Sequence, residues 1–316
     1  MPFNRTLVHT IVLFLAPVIV AAYGWSVPAA VLLVILLLAW RWLIVMSHWV
    51  KPAQRPALEL ETISASHFVE KVRWNKDVAG IEYTERPAGG TLGAFYLGRT
   101  VPRLNFRTGA VRSQIGNSPE ILRYLWGAYG SKLGERAAHL EPTADRIDFE
   151  KRIDRYGANL QVWVYHHLLV DRELTLKAWG ANSPDVPGWQ RWLLTLLFPV
   201  QASLIRRSFR ITPDHVEKSR HHIDELLADV DLKLADGRAS ILGGDELNYT
   251  DYAFAAISGL WLQPDNYGGG RADAVRINYD EATPGMRADI DKWSEDHPRV
   301  VRWIEALYES RSGPAT

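Results

Sequence analysis

In Ser66-His67-Phe68-Val69-Glu70-Lys71-Val72-Arg73-Trp74, a small hydroxyl residue sits where a strand-like run gives way to a helix. A helix start presents unpaired N–H donors and the positive end of a dipole, so it binds and stabilises an anion. The natural anion here is a thiolate. The chain has Cys 0, so that thiolate has to be borrowed from a small molecule. Ser64 lies two residues earlier and competes for the same role. A second helix start, Asn117-Ser118-Pro119-Glu120-Ile121-Leu122, offers Ser118 either as a cap or as a donor to a carboxylate.

Other residues of the right types lack the right spacing. The pairs His166-His167 and His221-His222 diverge by about 100° on a helix, so neither chelates a metal, and both read as helix-surface residues. Gly268-Gly269-Gly270, inside the loop Asp265–Asp273, matches no phosphate-binding fingerprint. Without cysteine there is no disulfide, no thiolate metal site and no redox step on a protein thiol.

The elements that must position Ser66 form a compact pattern. Leu58–Ile63 reads as a strand and Phe68–Val78 as a helix with Gly80 at its end. Ile81–Thr84 is a short strand, followed by a Pro/Gly-rich loop from Arg86 to Gly93. Arg103–Phe106 and Ala110–Arg112 read as strands joined by Arg107-Thr108-Gly109. Ser118–Tyr129 is helical, with Ile121, Leu122 and Leu125 on one face. The order β-α-β then β-β-α gives one small domain with its sheet packed on helices.

From about residue 140 the apolar spacing is helical throughout. Helices are expected over Phe149–Leu169, from Pro213 to residue 236, and over Val300–Leu307 after His297-Pro298. Asn248 caps a further helix, with Asp251 returning the bond and Leu247 stapling Tyr252. Trp192–Ile205 is strongly apolar but too short to span a bilayer, so it is a buried core helix, a membrane-dipping helix or a pocket wall.

Lys+Arg 36 against Asp+Glu 36 leaves no basic footprint for nucleic acid. The N-terminus is a different material. Leu7–Tyr23 and Val27–Trp40 are apolar runs separated by Tyr23-Gly24-Trp25-Ser26, and the second extends to Met46, roughly 30 Å of helix. Trp40, Trp42 and Trp49 read as an aromatic belt around Arg41. Arg5 precedes the first run, and Arg41, Lys51 and Arg55 follow the second. The positive-inside rule then puts both ends in the cytoplasm as a two-span hairpin, with a single span or re-entrant element as the alternative. A cleaved signal peptide is disfavoured because no small-residue cleavage site precedes the second run. Residues 1–50 are thus an anchor, 51–56 a linker, 57–130 the α/β domain and 140–316 the helical domain.

This order of features resembles the cytosolic glutathione S-transferase superfamily over roughly Leu58 to the end. Four matches carry it: Ser66 to Trp74; Thr100-Val101-Pro102; Asn117-Ser118-Pro119-Glu120-Ile121-Leu122; and Gly244-Asp245-x-x-Asn248-x-x-Asp251 with His297-Pro298-x-x-x-x-Trp303. The resemblance implies an α/β thioredoxin-like domain plus an all-α domain, here behind a two-helix transmembrane hairpin. It implies glutathione as co-substrate, with Ser66 (or Ser64) aimed at its sulfur. It implies a cis Val101-Pro102 beside the cysteinyl amide, Asn117 and Ser118 at the γ-glutamyl carboxylate, and a homodimer. Arg99 stands where Lys or Gln meets the glycyl end. His67 stands where many relatives have Pro, and Asn117 replaces the usual Glu or Gln.

A free thiol, with a pKa of about 8.5, is only a few per cent thiolate at neutral pH. A hydroxyl donor and a helix N-terminus favour the anion, which then attacks a small, apolar electrophile. That second substrate is expected against Trp163, Trp179, Trp189 and Trp192, although core packing competes for each of them. The alternative is a non-catalytic, metaxin-like membrane protein of the same fold serving assembly or transport. A thiol–disulfide oxidoreductase needs Cys where Ser66 stands.

Overall fold

The structure, a computed structural model, describes residues 15–24, 26–46, 56–97, 101–108 and 111–311, with no side chains at 44–46, 95–97, 108 and 111. Residues 15–22 are helical, and after a turn at Tyr23-Gly24 helix α1 runs Val27–Met46. Its apolar side chains stand exposed, Val31, Leu32, Ile35, Leu36 and Leu43 among them. Among the described residues no helix is long and apolar enough to cross a membrane, and no two-span hairpin is found. Arg5, residues 7–14 of the first apolar run, Trp25, Trp49 and Lys51 to Arg55 lie outside the described residues.

The α/β domain is a four-stranded sheet with strand order β2-β1-β3-β4. Its strands are β1 (Ala57–Thr62), β2 (Thr84–Pro87), β3 (Arg103–Thr108) and β4 (Val111–Gly116). β1 pairs parallel with β2 and antiparallel with β3, and β3 pairs antiparallel with β4. Helices α2 (His67–Ala79), α3 (Gly90–Leu97) and α4 (Ser118–Leu133) complete it. Leu58, Leu60, Val69, Val72, Leu104, Ile121 and Leu125 form its core, where the strand period of two meets one face of each helix.

Two expectations are corrected here. The second strand begins at Thr84 rather than Ile81, and Gly90–Leu97, expected to be loop at its start, is helix. Trp179 carbons come within 2.6 Å of where a Gly90 Cβ would be, and Gly90 has φ +24°, so the tight corner accepts no side chain.

The helical domain comprises α5 (Glu135–Ala138), α6 (Ala144–Leu168), α7 (Arg172–Ala178), α8 (Gly188–Leu196), α9 (Phe198–Ser208), α10 (Pro213–Lys233), α11 (Tyr249–Leu262), α12 (Pro284–Asp296) and α13 (Pro298–Ser310). The Asn248–Asp251 capping box is present, and Asp251 also accepts from Ser240 and from the Ile241 N–H. An α/β thioredoxin-like sheet domain followed by an all-helical domain is the architecture the resemblance implies.

The histidine pairs split. His221 and His222 are exposed beside Glu225, as expected. His167 is instead buried, with Nε2 3.1 Å from Asp289, which also accepts from Trp163 and Arg220.

Candidate functional site

Helix α2 is held far more firmly than a surface helix. Lys71 is fully buried between Glu150 (2.8 Å) and Asp154 (2.7 Å) of α6. Arg73 grips Glu85 through Nε (2.7 Å) and Nη2 (3.0 Å), and meets Glu70 at 2.8 Å. Glu70 also accepts from Arg311 and from the Gly268 N–H at 3.0 Å. Burial alone would raise the Glu70 carboxyl, but Arg311 and Arg73 hold it below the usual carboxylate value. The Gly268–Gly270 loop, given no chemistry by its sequence, therefore closes an ionic network under α2. Much of the Glu70-Lys71-Val72-Arg73-Trp74 stretch is this clamp.

The clamp fixes the turn in front of α2. Ser66 sits at the N-cap position with φ −73° and ψ 122°, yet its side chain makes no capping hydrogen bond. Its carbonyl accepts from the Glu70 N–H at 2.9 Å, and the hydroxyl belongs to a half-buried residue lining the interdomain cavity. Next to it, His67 is buried and donates from Nε2 to the Gly157 carbonyl at 3.0 Å, which fixes the neutral tautomer with Nδ1 unprotonated. Burial drives its pKa down to about 4, partly offset by that bond. A Cβ at Gly157 would meet Phe68 at 2.9 Å and His67 at 3.3 Å, so only glycine lets α6 approach the Ser66 turn this closely.

The cavity, about 350 Å³, lies between the domains. From the α/β side it takes Ser66, His67, Thr91, Val101 and Asn117, and from the helical side Gln161, Tyr165, Trp179, Ile205, Phe209 and Gln263. Ser66, Val101 and Asn117 are thus brought to one space from three separate segments. Ser64, Pro102 and Ser118 do not line it, and Arg99 lies outside the described residues. The Val101-Pro102 peptide is cis. Asn117 is held at φ 74° and ψ 134°, unusual for a residue with a side chain, with its N–H donating to the Pro102 carbonyl at 3.2 Å. Directly behind it Ser118 is 1% exposed, and its Oγ has no hydrogen-bond partner among the described residues.

Of the tryptophans expected at the second substrate, only Trp179 lines the cavity. Trp163 is fully buried in the helical core and donates to Asp289, while Trp189 and Trp192 lie on an outer surface. Tyr267 lines the cavity too and donates to the Ala65 carbonyl at 3.2 Å, tying the helical domain to the Ser66 turn. Thr91, Gln161, Tyr165, Gln263 and Tyr267 escape sequence reasoning because no local motif announces them; only tertiary packing brings them together. Arg276 also lines the cavity, committed to Asp265 at 3.0 Å and to the Pro264 carbonyl at 3.1 Å. Among the described residues no group of three or more His, Asp or Glu could hold a metal ion. The walls are mostly apolar, with Ser66 and Asn117 at the two helix starts and the hydroxyl and amide groups of Thr91, Gln161, Tyr165, Gln263 and Tyr267 spread around them.

No family model matches the sequence, and no curated protein matches it. Among solved structures it is similar to a glutathione S-transferase from Rhodospirillum rubrum F11, at 18% identity over 80% of this chain and 88% of that one, with a TM-score of 0.41. It is also similar to rice GST1 in complex with glutathione, at 16% over 81% and 96% with a TM-score of 0.39. FzlA from C. crescentus matches at 14% over 81% and 88%, with a TM-score of 0.44.

Proposed function

We propose that this chain is a glutathione-dependent transferase acting on an apolar electrophile at the cytoplasmic face of a membrane. The observation that carries the reading is the Ser66 hydroxyl. It stands at a helix start, makes no capping bond, and shares one cavity with Val101 and Asn117. In this reading Ser66 donates to the glutathione sulfur and the α2 N-terminus adds its positive end, stabilising the thiolate. Val101 pairs its backbone with the cysteinyl amide. Asn117 receives the γ-glutamyl carboxylate at the α4 N-terminus, with Ser118 reaching it only if its buried hydroxyl turns toward the cavity, and Arg99 is the residue assigned to the glycyl end. The sulfur attacks the electrophile, which lies against Trp179, Ile205 and Phe209, and the leaving group departs with the displaced electron pair. The exposed apolar side chains of α1 support the membrane-seated part of the reading.

Calorimetric titration of the full chain with glutathione tests it, together with turnover of an activated aryl halide. Binding at millimolar glutathione or tighter is expected. Ser66→Ala should lower turnover about 100-fold with little change in stability, and Ser64→Ala should leave turnover near wild type. No heat of binding at millimolar glutathione would sink the proposal.

A further inference from the structure

Helices α8 and α9 form one kinked run. The i to i−4 ladder passes through Leu197, whose N–H reaches Leu193 O at 2.9 Å and whose carbonyl accepts from Gln201 at 3.0 Å. The inner face of the run is built into the site. Gln190 accepts from the Gly89 N–H at 2.8 Å, Gln201 accepts from Thr91, and Ile205 lines the cavity. Leu194, Phe198 and Ala202 are buried with Trp179 in their own small core.

The outer face is also apolar. Trp192 is 63% exposed, Leu196 57%, Val200 58% and Leu204 57%, each four residues after the last. A soluble helix puts charge on that face, so a helix apolar on both sides expects an apolar partner. Directly after Leu204 comes a shallow basic hollow lined by Arg206, Arg207, Arg210, His215 and Lys218, with Asp214 its one acid.

We propose that this ridge and hollow form an interfacial docking surface for an anionic lipid bilayer. The ridge sits at the headgroup–acyl boundary and the arginines lie on the phosphates. The charge argues for lipid over a second copy of the chain: the basic hollow at the end of the ridge is complementary to anionic phosphates, whereas a parallel two-fold pairing of the ridge would set two such hollows against each other and an antiparallel one would leave both without acidic partners. Chain length agrees. Residues 47–56 separate the end of α1 from the start of β1, and even fully extended they reach no more than about 35 Å. The inference rests on the membrane-seated reading above but not on the glutathione chemistry. It gives the substrate class a route, because the helix whose outer face meets lipid has its inner face on the cavity. An apolar electrophile partitioned into the bilayer then enters without crossing water.

The absence of cysteine makes the test clean. Nitroxide labels on Leu196→Cys and Val200→Cys are read in the full chain on vesicles containing about 30% anionic lipid, with Leu232→Cys, 74% exposed on α10, as the reference. The ridge labels should become about tenfold less accessible to an aqueous nickel chelate while the reference is unchanged, and Arg207→Glu/Arg210→Glu should reverse most of that shielding. Three results overturn the proposal. The chain could float with vesicles while the ridge labels stay as accessible as the reference, which leaves the α1 anchor standing. It could fail to float at all, which removes the membrane reading as well. Shielding could also appear without vesicles and grow with protein concentration, which identifies a second copy. Glutathione calorimetry on the same samples reports separately on the active-site reading.

Discussion

Helices α2 and α9 each contribute to the same cavity, and they break the inside–outside rule in opposite directions. α2 buries ten of its thirteen residues, including Glu70, Lys71, Arg73 and Lys76. α9 leaves Val200 and Leu204 in the open while burying Gln201. The buried charges of α2 are mostly answered within the protein: Arg73 by Glu70 and Glu85, Lys71 by Glu150 and Asp154. Lys76 is held over the Tyr83 ring at 3.7 Å, and burial lowers its pKa to about 7. The exposed apolar groups of α9 find no such answer among the described residues. A misplaced polar group with partners fixes geometry; a misplaced apolar group points to something outside the molecule.

The comparison breaks most visibly at Arg73. Removing its side chain leaves Glu70 and Glu85 in the interior with less than their charge balance, which costs about 3–5 kcal/mol. Arg73→Ala should therefore lower the urea midpoint severely, whereas Arg207→Ala on α9 should shift stability by no more than about 0.5 kcal/mol. Equal, small effects would mean that the α2 network is ornamental and that Ser66 owes its position to something else.

The next effect is a pH dependence at the same turn. His67 has its pKa lowered by burial from 6.5 to about 4. Between those values the unfolded chain binds a proton that the folded chain excludes, so stability falls as pH drops from about 6.5 towards 4 and is regained on raising it. One group with this shift contributes up to about 3 kcal/mol. His139, also lowered to about 4 by burial, adds in the same direction. Denaturant unfolding at pH 7 and pH 4.5 should show the loss, and His67→Gln, which keeps an amide donor for the Gly157 carbonyl, should remove His67's share. An unchanged slope in that variant would show that His67 does not carry the effect.

Local chemistry made one side of the site legible and left the other opaque. The Ser66 turn, Val101-Pro102, Asn117-Ser118 and the Asn248–Asp251 box are each written in a few consecutive residues, and the succession of strands and helices along the α/β domain follows from apolar period and turn residues, whereas the order of the strands within the sheet does not. The start of α3 was not readable, since Gly90-Thr91-Leu92-Gly93 carries two helix breakers and is helical because Gln190 and Gln201 hold it from another domain. The burial of His167 is hidden from the sequence for a similar reason: only the fold brings Asp289 beside it. The run 192–205 was legible as apolar but not as two-faced, because hydrophobicity has no sign for which side meets protein.

The smallest expected effect sharpens that two-faced reading. Ile205 and Leu204 are neighbours in sequence on opposite faces of α9, one 4% and the other 57% exposed. Ile205→Ala should cost about 2–4 kcal/mol, since it opens space beside Trp179 and Phe198 in a packed cluster. Val200→Ser and Leu204→Ser remove side chains that gain little from the fold of the free protein, so thermal unfolding without lipid should move by no more than about 0.5 kcal/mol for each. A loss above about 1 kcal/mol for either serine variant would mean that the ridge packs within the chain and needs no outside partner. A near-silent result in solution, paired with weakened vesicle binding, is what a surface reserved for lipid requires.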